Sequence, residues 1–210
     1  MRGACLALIS LLVCAPLASA QTSEPVGPFV VDIRGLMSGL PTTEGWTPVL
    51  PAGTDVPSRG FGLEGGAHFY FAKWGPAMLG AGASFSMARG TTTAVTVATP
   101  DVKTSATTLA PQLSFNFGHR LGWSYLSAGY GGAKVTSESS TIAPTPAAMA
   151  ESGWMGAINI GGGARWFITE HLGVGFEARW HRLSGRDATT TSLAAPRATL
   201  FHLAVGLSLQ

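Results

Sequence analysis

The chain has 210 residues, with 13 Lys+Arg, 11 Asp+Glu and 28 Gly. Only 11% of it is charged, against about 25% in soluble domains, which is too little to cover an ordinary water-exposed globule. The near balance of charge leaves no basic field for nucleic acid and no acidic tail, and beyond residue 20 no apolar run reaches the roughly 18 residues of a membrane helix.

In chain order, residues 1–20 read as an export signal. Arg2 is a short positive n-region, 4–13 form an apolar h-region too short to span a bilayer, and Ala18-Ser19-Ala20 is a cleavage site. The mature chain is expected to start at Gln21. Both cysteines, Cys5 and Cys14, fall in the removed segment, so the exported chain has no disulfide and no thiol chemistry.

Eight segments then alternate with period 2, at about 28–38, 60–72, 76–88, 107–118, 122–132, 154–168, 172–183 and 198–209, the signature of strands with two unlike faces. In 60–72, Phe61, Leu63, Ala67, Phe69 and Phe71 oppose Glu64, His68 and Tyr70. In 107–118, Leu109, Leu113, Phe115 and Phe117 oppose Gln112, Ser114 and Asn116. In 172–183, Leu172, Val174, Phe176, Ala178 and Trp180 oppose Gly173, Gly175, Glu177, Arg179 and His181. Segment 122–132 is ambiguous: Trp123 and Tyr125 share one face, Leu126 and Tyr130 the other. The last strand, "TLFHLAVGLSL", places Phe201, Leu203, Val205, Leu207 and Leu209 together.

Tight links, "AKWGP", "GHRLG" and "TEHLG", alternate with long Thr-, Ser-, Pro- and Gly-rich stretches at about 39–59, 89–106, 133–153 and 184–197. No helical period separates the strands. The expected fold is all-β, an eight-stranded antiparallel up-and-down barrel over 21–210.

The faces decide which barrel. The non-apolar face is mostly Gly, Ala and Ser, with Asp32, Arg34, Glu64, Arg165, Glu177 and Arg179 among them. An eight-stranded interior is just wide enough for side chains to fill, so these belong inside and the bulky apolar face points outward. In water that would be a large exposed patch; in lipid it is the required surface, and closure leaves no unpaired edge. The barrel is therefore expected to be transmembrane, with short turns on the periplasmic side and long loops outside. Phe29, Phe71, Trp74, Phe117, Trp123 and Trp166 suit a periplasmic aromatic girdle, Trp154 and Trp180 an outer one.

This pattern resembles the small eight-stranded bacterial outer-membrane proteins of the OmpA-transmembrane-domain and OmpX type, over most of 27–210. The resemblance implies insertion through the barrel-assembly machinery, which reads the C-terminal strand. That family usually ends in an aromatic residue; this chain ends Leu207-Ser208-Leu209-Gln210.

Three acids, Asp32, Glu64 and Glu177, face three arginines, Arg34, Arg165 and Arg179, so a balanced ion-pair plug is expected, with Tyr70 and Asn159 extending it. A three-residue turn at 169–171 would set Arg165 opposite Gly175, one diagonal step from Glu177, and a five-residue turn would set it directly against Glu177; either way Glu177 is the partner expected for it. His181 and His202 face inward near the outer ends of the last two strands, and His68 stands alone on the second. Two imidazoles lack the further ligands a closed metal site needs, so no metal and no cofactor is expected. Some barrels of this size are lipid A acyl hydrolases whose His and Ser stand two apart on a strand. Here His181 and Ser184 are three apart, on opposite faces, so no enzyme is expected. The expected role is structural or surface interaction with a side-chain-filled lumen. The alternatives are a narrow channel for small or apolar solutes and, after that, a lipid A hydrolase. Expected partners are outer-membrane lipid and lipopolysaccharide, the assembly machinery, and an external ligand or surface at the loops.

Overall fold

The computed structural model describes residues 28–43, 45–94, 96, 98–119, 121–142, 146–187 and 194–210. The expected export signal and the mature terminus at Gln21 lie outside the described residues.

Nine strands follow in chain order: β1 (Phe29–Gly39), β2 (Arg59–Trp74), β3 (Ala77–Thr92), β4 (Val102–His119), β5 (Gly122–Ser139), β6 (Met149–Glu151), β7 (Met155–Phe167), β8 (Leu172–Leu183) and β9 (Ala198–Leu209). Eight of them close an antiparallel up-and-down barrel in which each strand pairs with its neighbours in sequence and β9 pairs with β1. The three-residue β6 is an extra rung on the outer end of β5, where Ser137 faces Ala150.

A row of paired residues fixes the shear of the barrel. It leaves β5 at Tyr125, runs through Gly163, Glu177, Ala204, Leu36, Gly62, Ala88 and Ala106, and returns to β5 at Val135, ten residues farther along. Eight strands with that stagger tilt by about 40°, and each sideways step climbs by roughly 1.25 residues. So narrow a bore leaves room for side chains only.

The alternation sorts every strand. Ile33, Phe61, Leu63, Phe69, Leu113, Leu126, Ile158, Ile160 and Val205 are each 52–69% exposed on the outside, although they are among the largest apolar side chains of the chain. Gly, Ala, Ser and the charged residues fill the inside. Inward glycines make room for rings: a Cβ on Gly80 would collide with Tyr70, and one on Gly82 with His68. The tight β2–β3 link turns at Gly75, whose φ of 58° suits glycine.

Three expectations are corrected. The long-loop ends of the middle strands are not loops: β3 runs to Thr92, β4 starts at Val102 and β5 runs to Ser139. About half of each segment expected as a loop at 89–106 and 133–153 is thus ladder. Secondly, Trp123 does not join the periplasmic girdle. It is 3% exposed inside the barrel, stacked on Phe167 at 4.8 Å between ring centres. The parity of β5 is set by Tyr125 and Ser127, which also face in, while Leu126 and Tyr130 face out. Thirdly, Arg165 pairs with another carboxylate than Glu177, described below.

Candidate functional site: the filled lumen

The lumen is stacked in three layers. At the short-turn end Val30, Tyr70, Trp123, Tyr125 and Phe167 form an apolar floor. At the long-loop end Leu40, Ala106, Ala133, Val135, Met155, Ala157, Leu183 and Leu200 form an apolar ceiling. Into that ceiling the first long loop inserts Trp46, which is 2% exposed. Between them lies the charged layer.

Its six charges are each at most 3% exposed. Arg165 reaches Asp32 with both arms of its fork: Nε donates to Oδ1 at 2.9 Å and Nη2 to Oδ2 at 2.5 Å. Ser208 donates to the same Oδ1 at 2.6 Å, and Arg34 Nη2 lies 2.7 Å from it. Arg34 Nη1 bridges two further acids, Glu64 and Glu177, at 3.0 Å each. Glu177 also accepts from Tyr125 Oη at 2.6 Å and from Arg179 Nε. The Arg165 guanidinium lies over the Tyr125 ring, 3.9 Å from its centre, where the π face favours a cation.

Of the two turn lengths weighed, the three-residue one is found. Arg165 is opposite Gly175, and Ile168 N–H donates to Leu172 across the three-residue turn. The partner differs because the side chains of Arg165 and Asp32 together span the bore. From β7, Arg165 crosses the bore to Asp32 on β1 instead of stepping along its own hairpin to Glu177.

The polar residues extend the layer unevenly. Asn159 accepts from Arg179 at 2.5 Å and from Gln112 at 3.2 Å; Gln112 in turn donates to Ser84 and meets His68 Nε2 at 3.3 Å. Tyr70 Oη meets Ser114 at 3.4 Å. His181 and His202 are 4.3 Å apart between ring centres, and neither nitrogen of His181 has a hydrogen-bond partner among the described residues. Among the described residues, no three His, Cys, Asp or Glu side chains are grouped so as to hold a metal ion. Ser184, exposed, donates to the Gly156 carbonyl, three positions from the buried His181.

Sequence reading missed Tyr125, Ser127, Ser208 and Gln112 as members of the network, and Trp46 as the ceiling plug. Parity carries the signal for the four lumen residues. For Trp46 the only signal was a large ring in a loop otherwise free of aromatic residues.

Chemically, every carboxylate in the layer is already engaged by at least one arginine, so none is left as a free base or nucleophile. An ion crossing the layer would have to break several charge-assisted bonds at once.

A family model for the outer membrane protein beta-barrel domain matches residues 5–208. No curated protein matches the sequence. Among solved structures, Neisserial surface protein A is similar over 89% of this chain and 99% of its own, at 11% identity and a TM-score of 0.53. Ail, the attachment invasion locus protein of Yersinia pestis, in complex with the heparin analogue sucrose octasulfate, is similar over 86% and 96%, also at 11% identity and a TM-score of 0.53. At that identity the likeness is one of fold.

Proposed function

The chain belongs to the outer-membrane protein β-barrel domain family and resides in the outer membrane, and from that premise we propose that it is a closed, non-catalytic barrel with a structural or surface-interaction role. The observation that carries this reading is the stacked lumen: an apolar floor, a neutral layer of three acids and three arginines, and a ceiling sealed by Trp46. A bore filled on three levels argues against a continuous water path, and each carboxylate of the layer is paired with an arginine. What remains for interaction is the outer surface, the four loop regions and the strand ends that carry them. Insertion is assigned to the barrel-assembly machinery acting on β9, whose apolar positions alternate through Leu209.

Planar-bilayer recording of the refolded chain tests this directly, together with adhesion of cells that carry the wild type or a version with loops 40–58 and 184–197 replaced by short Gly/Ser links. Expected are no unitary conductance steps for the wild type and a loss of adhesion in the loop-replaced cells. Steady conductance in the wild type would establish a solute conduit instead, and release of fatty acid from radiolabelled lipid A would establish a hydrolase.

A further inference from the structure

Most outward-facing cations of the outer half of the barrel form a collar. Arg59 on β2, Arg89 on β3, Lys134 on β5 and Arg182 on β8 point away from the lumen at the long-loop ends of their strands. Because each sideways step climbs by roughly 1.25 residues, these four positions fall within about two residues of one height. They stand just above the apolar belt, where Phe61, Leu63, Met87 and Trp180 are 49–69% exposed. Lys134 is already bonded to Glu151 at 2.8 Å. Arg59, Arg89 and Arg182 have no ion-pair or hydrogen-bond partner among the described residues.

Two of the three free arginines are neighbours. Phe61 pairs with Arg89 and Gly39 with Arg59, so Arg59 and Arg89 sit diagonally on adjacent strands. Ser105 stands directly across from Arg89, and Thr107 across from Met87, adding hydroxyl donors at the same level. Below them the outward surface is apolar at Phe61, Leu63 and Met87 and flat farther down at Gly65, Ala67 and Ala83. An exposed arginine pair with hydroxyls beside it and an acyl-compatible wall beneath matches a ligand with phosphates at the interface and chains in the hydrocarbon.

The geometry points to a lipid-phosphate site at Arg59 and Arg89, taking one phosphorylated glycolipid of the outer leaflet. It deepens the surface-interaction reading and rests on the long loops facing outward. Arginine forks suit phosphate oxygens better than lysine does.

The test is native mass spectrometry of the full chain refolded in detergent, titrated with bisphosphorylated lipid A, with the same lipid dephosphorylated, and with a heparin oligosaccharide. One bisphosphorylated lipid per barrel should survive desolvation. Arg59→Gln with Arg89→Gln should weaken retention by about thirtyfold, two interfacial cations' worth, while Lys73→Gln at the opposite rim leaves it unchanged. The heat-induced gel shift of each variant establishes that it is folded, and Arg59→Ala with Arg89→Ala repeats the test should the Gln pair fail to fold. Equal retention of the dephosphorylated lipid, equal loss in the Lys73 variant, or tighter binding of heparin than of lipid A would each overturn the site. The orientation fails separately: trypsin cutting at Arg120 on intact cells would invert the barrel without touching the result in detergent.

Discussion

Asp32 and Arg165 lie 133 positions apart in the chain yet share two hydrogen bonds across the bore. Removing Asp32 strands the buried Arg165, at about 3–5 kcal/mol; removing Arg165 costs less because Arg34 and Ser208 still hold Asp32; removing both strands neither. Arg165→Ala and Asp32→Ala should therefore each lower the unfolding midpoint in detergent, with the double variant losing clearly less than their sum. The same cycle between Arg165 and Glu177 should be closer to additive, since those two communicate only through shared partners such as Tyr125. A stronger coupling for the second pair than for the first would show that the fork points along the hairpin after all. The eleven polar and charged residues read as facing inward all lie in the lumen because parity along a strand is written in the chain. Which of them meet is not written there. Contact across a bore depends on closure and stagger, and neither leaves a mark on any single strand.

The β4–β5 hairpin is the tallest element, with 18 residues in each strand. Its outer third reads as loop because Thr, Ser and Lys replace the outward apolar residues once the strand leaves the hydrocarbon: Lys103, Ser105 and Thr107 on β4, Lys134, Thr136 and Glu138 on β5. The inward positions there still alternate, with Val102, Thr104 and Ala106 against Val135, Ser137 and Ser139. Thr is a good strand former, so its abundance was a strand signal as much as a loop signal. Pro111 marks the middle of the hairpin: the ladder skips Ala110 and Pro111 against Tyr130 and Gly131 because proline has no N–H to give. Amide hydrogen exchange checks the extension. Amides of 102–106 and 133–139 should be protected on the scale of hours, like those of β2, while 46–56 exchange fast. Rapid exchange over 102–106 would return that segment to the loop.

At the scale of the whole molecule, closure is the main source of resilience. With β9 bonded to β1 there is no free edge, and the unfolded alternative would leave backbone groups unpaired in lipid. The refolded chain should resist SDS at room temperature, run compactly on a gel, and shift only on boiling; identical migration before and after boiling would show that the ring does not close in the membrane. Fold class, strand number and pairing order were legible because eight alternating segments with tight and long links in turn admit one meander. The plug in the ceiling was not, since Trp46 comes from a loop folding back into the mouth, and a loop carries no period to read.

The seam between β1 and β9 has a kinetic consequence. It joins positions as far apart as Val31 and Leu209, the most distant pairing among the described strands, so its loop-closure entropy is the largest the fold must meet. Asp32 and Arg34 sit on that seam, and their partners Arg165 and Glu177 reach the barrel on β7 and β8. Until the seam shuts, Arg165 lacks Asp32 and Arg34 lacks Glu177, and the charges left with local partners alone have no water-free place to sit. A half-closed ring is then worse than either an open or a sealed one. Insertion is expected to pass through a single late barrier, with sheet closure and charge pairing crossing it together.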